Sequence, residues 1–420
     1  MTRRIVVIGA GTAGTMLVHQ LRRRLAPDEW SITVIDRDDQ HLYQPGLLFL
    51  PFNTDDAADL TRSRHTFIPD GVDFEVGNVD IVEPGTSSIR LSDGRALSYD
   101  LLVVASGSRI RPDLTPGMLG PEWRRSIFDF YTADGARALH TALTELEHGR
   151  LVVHLTDLPI KCPVAPLEFT FLVDAWLRAH WRRSQVDITY VTPLSEAFTK
   201  PSVAAALGDL LAERDITLET DFVVERIDPV AKTLVSYDER TVPFDLLVTI
   251  PLVTGAEFVT RSGLGDELAF VPVDKHTLQS QEYPNIFALG DAADLPTSKA
   301  GSAAHYQIPS VVTNIVAFAE GQPVTASYDG HVNCFIESGE GKALLIDFDY
   351  ERDPATGGFP FRGLGPLSLL TETRRNHLGK LAFRPFYWNV LMRGHATSGH
   401  RTHNLTTHRP GTVGAAARNS

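Results

Sequence analysis

A glycine-rich turn close to the start of the chain limits its possible folds more than any other feature. The segment RRIVVIGAGTAG places Gly9, Gly11 and Gly14 between an apolar strand and a predicted helix over 12–25. The next strand is closed by an acid, Asp36. This order of strand, glycines, helix and acid is typical of a dinucleotide-binding unit, in which the pyrophosphate approaches the helix N-terminus. The motif alone does not distinguish FAD from NAD.

A second unit has the same order of elements but no glycines. Residues 151–155 predict a strand, and 167–181 predict a helix. The turn between them, TDLPIKCPVAP, contains Cys162, and no glycine occurs from Arg150 to Leu207. The following strand ends in Thr-Pro, without an acid that could hold a ribose. We therefore predict a dinucleotide-type scaffold that has lost its nucleotide site and gained a thiol, which indicates sulfur chemistry beside a flavin.

An internal repeat indicates two copies of one fold. YDLLVVASG at 99–107 and FDLLVTIPL at 244–252 occupy matching places after the two units. NIFALGDAAD at 285–294 predicts a further strand that ends in Gly290-Asp291 and precedes a helix over 300–319. A strand ending in Gly-Asp before a helix is typical of a flavin contact. The predicted domains are a split first domain (1–115 and 284–325), an inserted second domain (116–283) and a C-terminal unit (326–420).

Composition narrows the class of protein. The chain has 420 residues and is 43% hydrophobic, with two cysteines, Cys162 and Cys334. Two cysteines do not make a structural disulfide framework, so a redox pair and two inert buried thiols are both open. No stretch is apolar enough to span a bilayer, and we expect no signal peptide because the fold motif begins at residue 3. The histidines show no metal-ligand spacing, so we expect no metal.

Charge is distributed unevenly along the chain. The net charge is −13, yet residues 374–420 contain eight Lys and Arg and no Asp or Glu. This basic end includes LGKLAFRPFYWNVLMRG at 378–394, where Pro385 is expected to end or kink a helix. We expect Phe386, Tyr387 and Trp388 to insert at an anionic membrane surface, with Lys380, Arg384 and Arg393 on lipid phosphate. A domain-packing helix or a dimer contact is the alternative. We expect no nucleic-acid binding by the acidic body, and disorder in the last 20 or so residues.

A resemblance to a known family covers most of the chain. The segments that carry it are VVIGAGTAG, HLYQPGLLFLPF, LLVVASGS, IKCPVAPLEFTFL, FALGDAADLPTSKAGSAAH, YDGHVNCFIESGEGKALLIDFDY and GKLAFRPFYWNVLMRG. The sequence resembles the sulfide:quinone oxidoreductases, which belong to the tandem-dinucleotide-domain flavoproteins. The contexts of the two cysteines are the specific part, because many flavoproteins share the glycine motifs.

The resemblance implies a fold and an activity. The fold is α/β, with two tandem Rossmann-like domains of the FAD/NAD(P)-binding type and a C-terminal membrane-associating segment. The activity is oxidation of sulfide to sulfane sulfur, with FAD as cofactor, a quinone as acceptor and a redox pair formed by Cys162 and Cys334. Peripheral, monotopic attachment at the cytoplasmic face of a membrane is expected. Because the third cysteine of some members is absent, the form of the released sulfur stays open, as does homo-oligomer formation.

Further residues have predicted roles around the flavin. Lys161, and the positive end of a helix that starts near Pro166, are expected to favour the thiolate of Cys162. Lys299 is expected at the flavin carbonyl edge, with a solvated lysine as the alternative, and Glu168 is either a proton acceptor or a helix-capping acid. The residues expected around the flavin are His41, Tyr43, Pro45, Gly46, Ser106, Gly107, Gly290 and Asp291, and His305 lies near them in sequence.

Two other functions remain open. An NADH:quinone oxidoreductase of the same superfamily needs a second glycine-rich turn, which the sequence lacks. A flavin-binding redox sensor would use the cysteines as a switch and the basic end as a docking segment. Steady-state turnover of sulfide with a quinone separates the enzyme from the sensor.

Overall fold

The structure, a computed structural model, describes residues 2–52, 57–360 and 365–395, so the predicted disordered tail lies outside the described residues. The described residues form seven α-helices. They are α1 (Thr12–Arg24), α2 (Ala133–Glu145), α3 (Ala165–Ala179), α4 (Pro201–Glu213), α5 (Glu257–Arg261), α6 (Gly301–Ala319) and α7 (Arg374–Phe386). The predicted helices agree with α1, α3 and α6 to within two residues at each end.

The first large sheet is parallel and has five strands. Their spatial order is Ile286–Ala288, Leu101–Val104, Arg3–Ile8, Trp30–Asp36 and Asp73–Val76. The strands are nearly continuous apolar runs, as expected for a parallel sheet covered on both faces. The edge strand Ile286–Ala288 joins this sheet although it follows the whole second sheet in the sequence.

The second large sheet repeats this arrangement. Its parallel strands are Ile127–Phe128, Leu246–Ile250, Gly149–Leu155, Val186–Val191 and Thr217–Glu219, in that spatial order. Leu246–Ile250 pairs with the first strand of the second unit, as Leu101–Val104 does with that of the first. The predicted internal repeat is therefore confirmed as two sheets with matching strand order.

Smaller antiparallel sheets accompany the two large ones. One joins Val79–Glu83, Ser88–Leu91 and Ala96–Ser98, and another joins Val224–Asp228, Thr233–Ser236 and Thr241–Pro243. Short pairs link Gln40–Leu42 with Thr61–Ser63, Arg109–Ile110 with Val253–Thr254, and Val271–Pro272 with Ala293–Asp294. The last of these pairs is parallel.

The C-terminal unit packs on the second domain through α3. Its sheet has the order Val332–Gly339, Lys342–Phe348, Leu367–Leu369 and Gly357–Phe359. The first of these strands contacts α3, and the backbone N–H of Glu337 donates to Oε1 of Glu168 at 2.8 Å. Helix α7 covers the same sheet. This packing brings the turn before α3 and the strand that carries Cys334 into one core.

The kink predicted at Pro385 is present. Helix α7 ends one residue after this proline and continues as a π-helical turn over Tyr387–Leu391. A proline has no N–H to donate, so the regular helix hydrogen bonding is interrupted at this position. Among the described residues, no helix has the length and apolar character that crossing a membrane requires.

Candidate active site

The first glycine turn is built by close packing. Gly9 has φ +109°, and its N–H donates to the carbonyl of Ile35 at 2.8 Å. A Cβ on Gly14 would lie 1.8 Å from the Gly9 carbonyl oxygen, so only glycine lets α1 pack this closely. A Cβ on Gly11 would meet no protein atom within 4 Å. Gly9 thus makes the turn, Gly14 allows the packing, and Gly11 faces open space at the start of α1.

Asp36 braces this turn from the neighbouring strand. One of its carboxylate oxygens accepts the N–H of Ala10 at 2.8 Å and lies 3.2 Å from a guanidinium nitrogen of Arg64. Arg64 also donates to the Ala10 carbonyl at 2.8 Å. No local sequence pattern predicts the contact of Arg64 with Asp36, because Arg64 lies in a separate 3₁₀ turn. The contact of Asp36 with a ribose stays a prediction.

A second group of predicted residues closes the same side of the sheet. Ser106 follows the strand Leu101–Val104, and its hydroxyl is buried without a hydrogen-bond partner in the described structure. Gly290 has φ +64°, and its N–H donates to the side chain of Gln307 at 2.7 Å. The Asp291 carboxylate accepts a hydrogen bond from Ser108 at 2.8 Å. Gly107, with φ +68°, lies between the two serines.

These residues fit a flavin dinucleotide. The open space at Gly11 lies at the amino end of α1, where free N–H groups favour a phosphate. The unpaired hydroxyl of Ser106 is a polar group that a ligand would satisfy. Pro45 is exposed in the 3₁₀ turn Gln44–Leu48, so its predicted flavin contact remains a prediction.

The structure brings the two cysteines together. Cys162 lies in the turn before α3 with φ 49°, and its N–H donates to the carbonyl of Lys299 at 2.8 Å. Cys334 lies on the strand Val332–Gly339, opposite Ile346. Both are free thiols and are partly buried in the core. Cys334 raises the pKa of Cys162, so the two thiols lie near enough to interact electrostatically.

A buried network of charges lies beside the thiols. Glu168, in the first turn of α3, forms an ion pair with Lys380 of α7, and both side chains are almost completely buried. The buried carboxylate of Glu337 pairs with Nδ1 of His377 at 2.9 Å, and the His377 side chain reaches the surface. Glu168 was predicted as a proton acceptor or a capping acid. In the structure its carboxylate is bonded to Lys380 and to the backbone N–H of Glu337, and its role as a proton acceptor stays a prediction.

The thiols are held in the protonated form. Burial raises the pKa of Cys162 well above its ordinary value, and Cys334 and Glu168 raise it further. Burial and Glu168 raise the pKa of Cys334 to about 12. Burial lowers the pKa of Lys161, and its expected stabilisation of the thiolate stays a prediction. A backbone N–H at the start of α3, that of Ala165, favours the Cys162 thiolate, in agreement with the expected effect of the helix amino end. The cation that favours both thiolates is Lys380, which lies 218 residues after Cys162 in the sequence.

Lys299 is a buried cation and not a solvated one. Its Nζ donates to the carbonyls of Asp291 and Ala293 at 3.0 and 3.1 Å, and lies 3.5 Å from the ring centroid of Phe270. Burial lowers its pKa. Through its own carbonyl, Lys299 also holds the backbone of Cys162. It thus links the Gly290-Asp291 turn to the cysteine turn, and its flavin contact stays a prediction.

The aromatic residues of the C-terminal segment are part of the core. Tyr387 and Trp388 are 3% and 1% exposed, so the prediction that their rings insert into a membrane is wrong. The Tyr387 hydroxyl lies 2.7 Å from the Thr12 hydroxyl and 2.6 Å from Nε2 of His41. Trp388 stacks on Phe67 with centroids 5.2 Å apart. Lys380 is likewise buried and unavailable to lipid phosphate.

Tyr43 and His41 pack against this segment as well. The ring centroids of Tyr43 and Tyr387 are 5.0 Å apart, and those of His41 and Trp388 are 5.4 Å apart. Their predicted contact with a flavin stays a prediction. Within the described ranges, no group of His, Cys, Asp and Glu has the arrangement of a metal site.

Comparison with known proteins covers nearly the whole chain. Residues 3–153 match the family described as pyridine nucleotide-disulphide oxidoreductase. A mitochondrial sulfide:quinone oxidoreductase of Schizosaccharomyces pombe is 28% identical, over 95% of this chain and 92% of that protein. The mouse mitochondrial sulfide:quinone oxidoreductase is 26% identical, over 93% of this chain and 86% of that protein. The chain is thus similar, over nearly its whole length, to sulfide:quinone oxidoreductases.

The fold is also that of a sulfide:quinone oxidoreductase. The X-ray structure of the enzyme from Aquifex aeolicus superposes with a TM-score of 0.79 at 22% identity. The match covers 94% of this chain and 93% of the other. Proteins of the sulfide:quinone oxidoreductase family bind FAD, and the glycine turn with the unpaired Ser106 is the site that fits this cofactor.

Proposed function

We propose that the protein oxidises sulfide to sulfane sulfur at Cys162 and Cys334, and that FAD carries the electrons to a membrane quinone. One observation carries this proposal. Cys162 lies in the turn where the second unit has no glycines, and Cys334 is near enough to raise its pKa, which supports sulfur chemistry in the place of a nucleotide site. The similarity to sulfide:quinone oxidoreductases over nearly the whole chain supports the same activity.

The cysteine chemistry balances in three steps. A hydrosulfide ion attacks the oxidised pair, so that one S–S bond breaks, a persulfide forms on one cysteine and the other leaves as a thiolate. A sulfur acceptor, such as a second hydrosulfide, then takes the outer sulfur of the persulfide and leaves a second thiolate. The two thiolates re-form the disulfide and release two electrons. When bound, FAD supplies the two-electron acceptor and passes these electrons to the quinone.

Lys380 and Glu168 act on the thiolates and protons of these three steps. A thiolate in this core would be costly without a cation, and Lys380 is the cation that lowers the pKa of both thiols. Burial opposes its charge, but Glu168, Glu337 and Cys162 outweigh burial and raise the pKa of Lys380. Lys380 is thus a permanent positive charge. The carboxylate of Glu168 is placed to take the proton that each thiol loses when the pair is re-oxidised.

The finer assignments are part of the proposal. FAD is held by residues of the first domain, formed by 1–115 and 284–325, while 116–283 and 326–420 supply one cysteine each. The strand order supports this division, because Ile286–Ala288 completes the first sheet. The residues proposed to hold the flavin are Gly9, Gly11, Gly14, Asp36, Pro45, Ser106, Gly107, Gly290, Asp291 and Lys299.

Attachment to a membrane is proposed through the outer face of α7. Leu378 and Leu381 are 62% and 49% exposed, and Arg374 and Arg375 are exposed at the start of the same helix. This face replaces Tyr387 and Trp388 as the apolar contact with the surface of an anionic, cytoplasmic-side membrane. Flotation with anionic liposomes tests it. Leu378→Asp should weaken binding, whereas Trp181→Asp, at an exposed tryptophan far along the chain, should leave it unchanged.

Anaerobic mixing of the purified protein with sulfide tests the activity itself. We expect the flavin absorbance to bleach, and to return when a soluble quinone is added. Flavin that NADH reduces, and sulfide does not, would favour an NADH:quinone oxidoreductase. Flavin that sulfide reduces without turnover on quinone would favour a redox sensor.

A further inference from the structure

We propose that a basic cavity at the carboxyl end of α1 binds a phosphate group, either of an anionic lipid or of a soluble phosphate ester. The cavity has a volume of about 440 Å³. Its charged and titratable lining consists of His19, Arg22, Arg23, Arg393, His395 and Asp70. This site is separate from the sulfide chemistry, and binding of a soluble phosphate ester would not depend on membrane attachment.

The cavity gathers cations that the described structure does not neutralise. Most of the arginines in the described residues form ion pairs, as Arg64 does with Asp36 and Arg183 with Asp174. Among the described residues, no carboxylate forms an ion pair within 4.0 Å with any of the five basic side chains of the cavity. The sequence has no Asp or Glu after Glu372, so the C-terminal segment itself offers none. An anionic ligand would lower the repulsion within this group.

The cations come from two segments that are fixed to each other. Arg23 and Gln20 both donate to the carbonyl of Gly394, the latter at 2.9 Å. A Cβ on Gly394 would lie 2.2 Å from Cβ of His19, so the segment is pressed against α1. Arginines at a helix C-terminus complement the helix dipole without any ligand. That explanation does not cover Arg393, which another part of the chain brings to the same place.

One donor in the cavity lacks the partner that its surroundings demand. The Nε of Arg22 is buried and has no hydrogen-bond acceptor in the described structure, although the rest of its guanidinium donates to the carbonyls of Trp30 and Gly71. His19 has a partner, because its Nε2 lies 2.8 Å from the carbonyl oxygen of Phe67. Burial lowers the pKa of His19 and the charges of Arg23 and His395 lower it further, while the contact with the Phe67 carbonyl opposes this shift. The positive charges already present in the cavity therefore disfavour a further one at His19.

The geometry favours a phosphate over a smaller anion. Guanidinium groups bind phosphate oxygens in pairs, and three arginines line this cavity beside the apolar Phe67, Ile68 and Pro69. The cavity volume of about 440 Å³ is many times the roughly 30 Å³ that one water occupies in the liquid, so there is room for more than a single phosphate. A glycerophosphate group fits this size. It occurs both in phospholipid headgroups and in soluble phosphate esters.

Matched charge variants of the FAD-loaded protein test the site. Arg23→Gln and Arg393→Gln each remove a cation from the cavity. Arg24→Gln removes the same charge from the next position, where Arg24 donates to Thr313 outside the cavity. Calorimetric titration with glycerol 3-phosphate and with inorganic phosphate measures the soluble ligand, and flotation with phosphatidylglycerol or phosphatidylcholine vesicles measures the lipid. Flavin content and sulfide-dependent reduction of a soluble quinone should be equal in all variants.

We expect saturable binding of glycerol 3-phosphate by the wild type, weakened about tenfold in Arg23→Gln and Arg393→Gln and unchanged in Arg24→Gln. A parallel loss of phosphatidylglycerol flotation in the same two variants assigns the site to a lipid headgroup. Unchanged flotation with weakened soluble binding assigns it to a soluble phosphate ester. Absence of saturable binding and of selective flotation in the wild type, or an equal loss in Arg24→Gln, overturns the proposal.

Discussion

The two strand–turn–helix units share a scaffold and differ in what their turns hold. In the first, Gly9 and Gly14 are in contact and Gly11 leaves open space at the start of α1, which has no acid in its first turn. In the second, the turn is longer and holds Cys162, and the first turn of α3 contains the buried Glu168. A carboxylate at that position disfavours a phosphate and, with Lys380, controls a thiol. The same backbone therefore serves two chemistries through the residues of one turn.

Removing either thiol is the strongest test of the difference between the two turns. Cys162→Ser and Cys334→Ser should each lower sulfide-dependent quinone reduction at least about a hundredfold, because a serine hydroxyl cannot form the S–S bonds of the mechanism. Turnover is measured by quinone absorbance. FAD content should be unchanged in both variants, since neither cysteine lies in the first unit. Full activity of either variant would show that the second turn is not the site of sulfur chemistry.

Substitution of a single glycine should abolish cofactor binding by the first unit. Gly11→Val should abolish FAD binding while the chain still folds, because a side chain at Gly11 meets no protein atom and would enter only the space of the pyrophosphate. The measurement is flavin released per chain, with circular dichroism to monitor folding. Gly208→Val on α4, which also faces open space, is the matched control. Normal flavin content in Gly11→Val would mean that the nucleotide does not bind at this turn.

A smaller effect separates the two charges that surround the thiols. Glu168→Gln should lower the pKa of both thiols, and Lys380→Met should raise it, each by about one unit or roughly 1.4 kcal/mol. The pH dependence of iodoacetamide alkylation of the reduced protein measures both. Because breaking a buried ion pair destabilises a protein, the double variant Glu168→Gln/Lys380→Met serves to restore folding. Glu372→Gln, in an ion pair with Arg214, is the control.

A further effect, on stability and not on activity, concerns a buried histidine in each half of the molecule. Burial lowers the pKa of His41, and of His154 in the second unit, to about 3 in each case. The unfolded chain binds a proton at each site below its ordinary pKa of 6.5, so stability is complete above that value and is lost as pH falls towards 3. Each histidine should contribute about 1.4 kcal/mol per pH unit in this window.

Denaturant unfolding at several pH values measures this slope. His154→Gln should reduce the loss of stability on acidification by about the contribution of one group. His180→Gln, at an exposed position, should leave the slope unchanged. A slope for His154→Gln equal to that of the wild type would mean that His154 is already protonated in the folded protein.

The sequence was informative wherever the pattern was local. The glycine triplet and the position of Cys162 before α3 depend on short spacings, and each repeated strand is recognised from its own run of residues. The structure has all of them as predicted. The pairing of Glu168 with Lys380 spans 212 residues and leaves no local pattern. Burial decided the ionisation of Cys162, and a neighbouring lysine in the sequence said nothing about burial.

The C-terminal segment was ambiguous for the same reason. Aromatic residues beside arginines suit a membrane interface, but they also suit a domain contact in which Tyr387 and Trp388 are enclosed. The choice depended on His41 and Phe67, which lie more than 300 residues earlier. Leu378 and Leu381 of α7 are the large apolar residues of the described part of this segment that keep the exposure the first interpretation needed.

The hydrogen bond between Tyr387 and Thr12 has a consequence for biosynthesis. It joins residues that are 375 positions apart, and one of them starts the helix of the glycine turn. On a ribosome, the first unit emerges long before the tyrosine that completes its surface. The nascent protein must therefore keep His41, Tyr43 and Phe67 uncovered until Tyr387 and Trp388 have been synthesised. A chain terminated before Asn376 would lose this covering together with α7, so truncation there should impair flavin incorporation as well as any membrane contact.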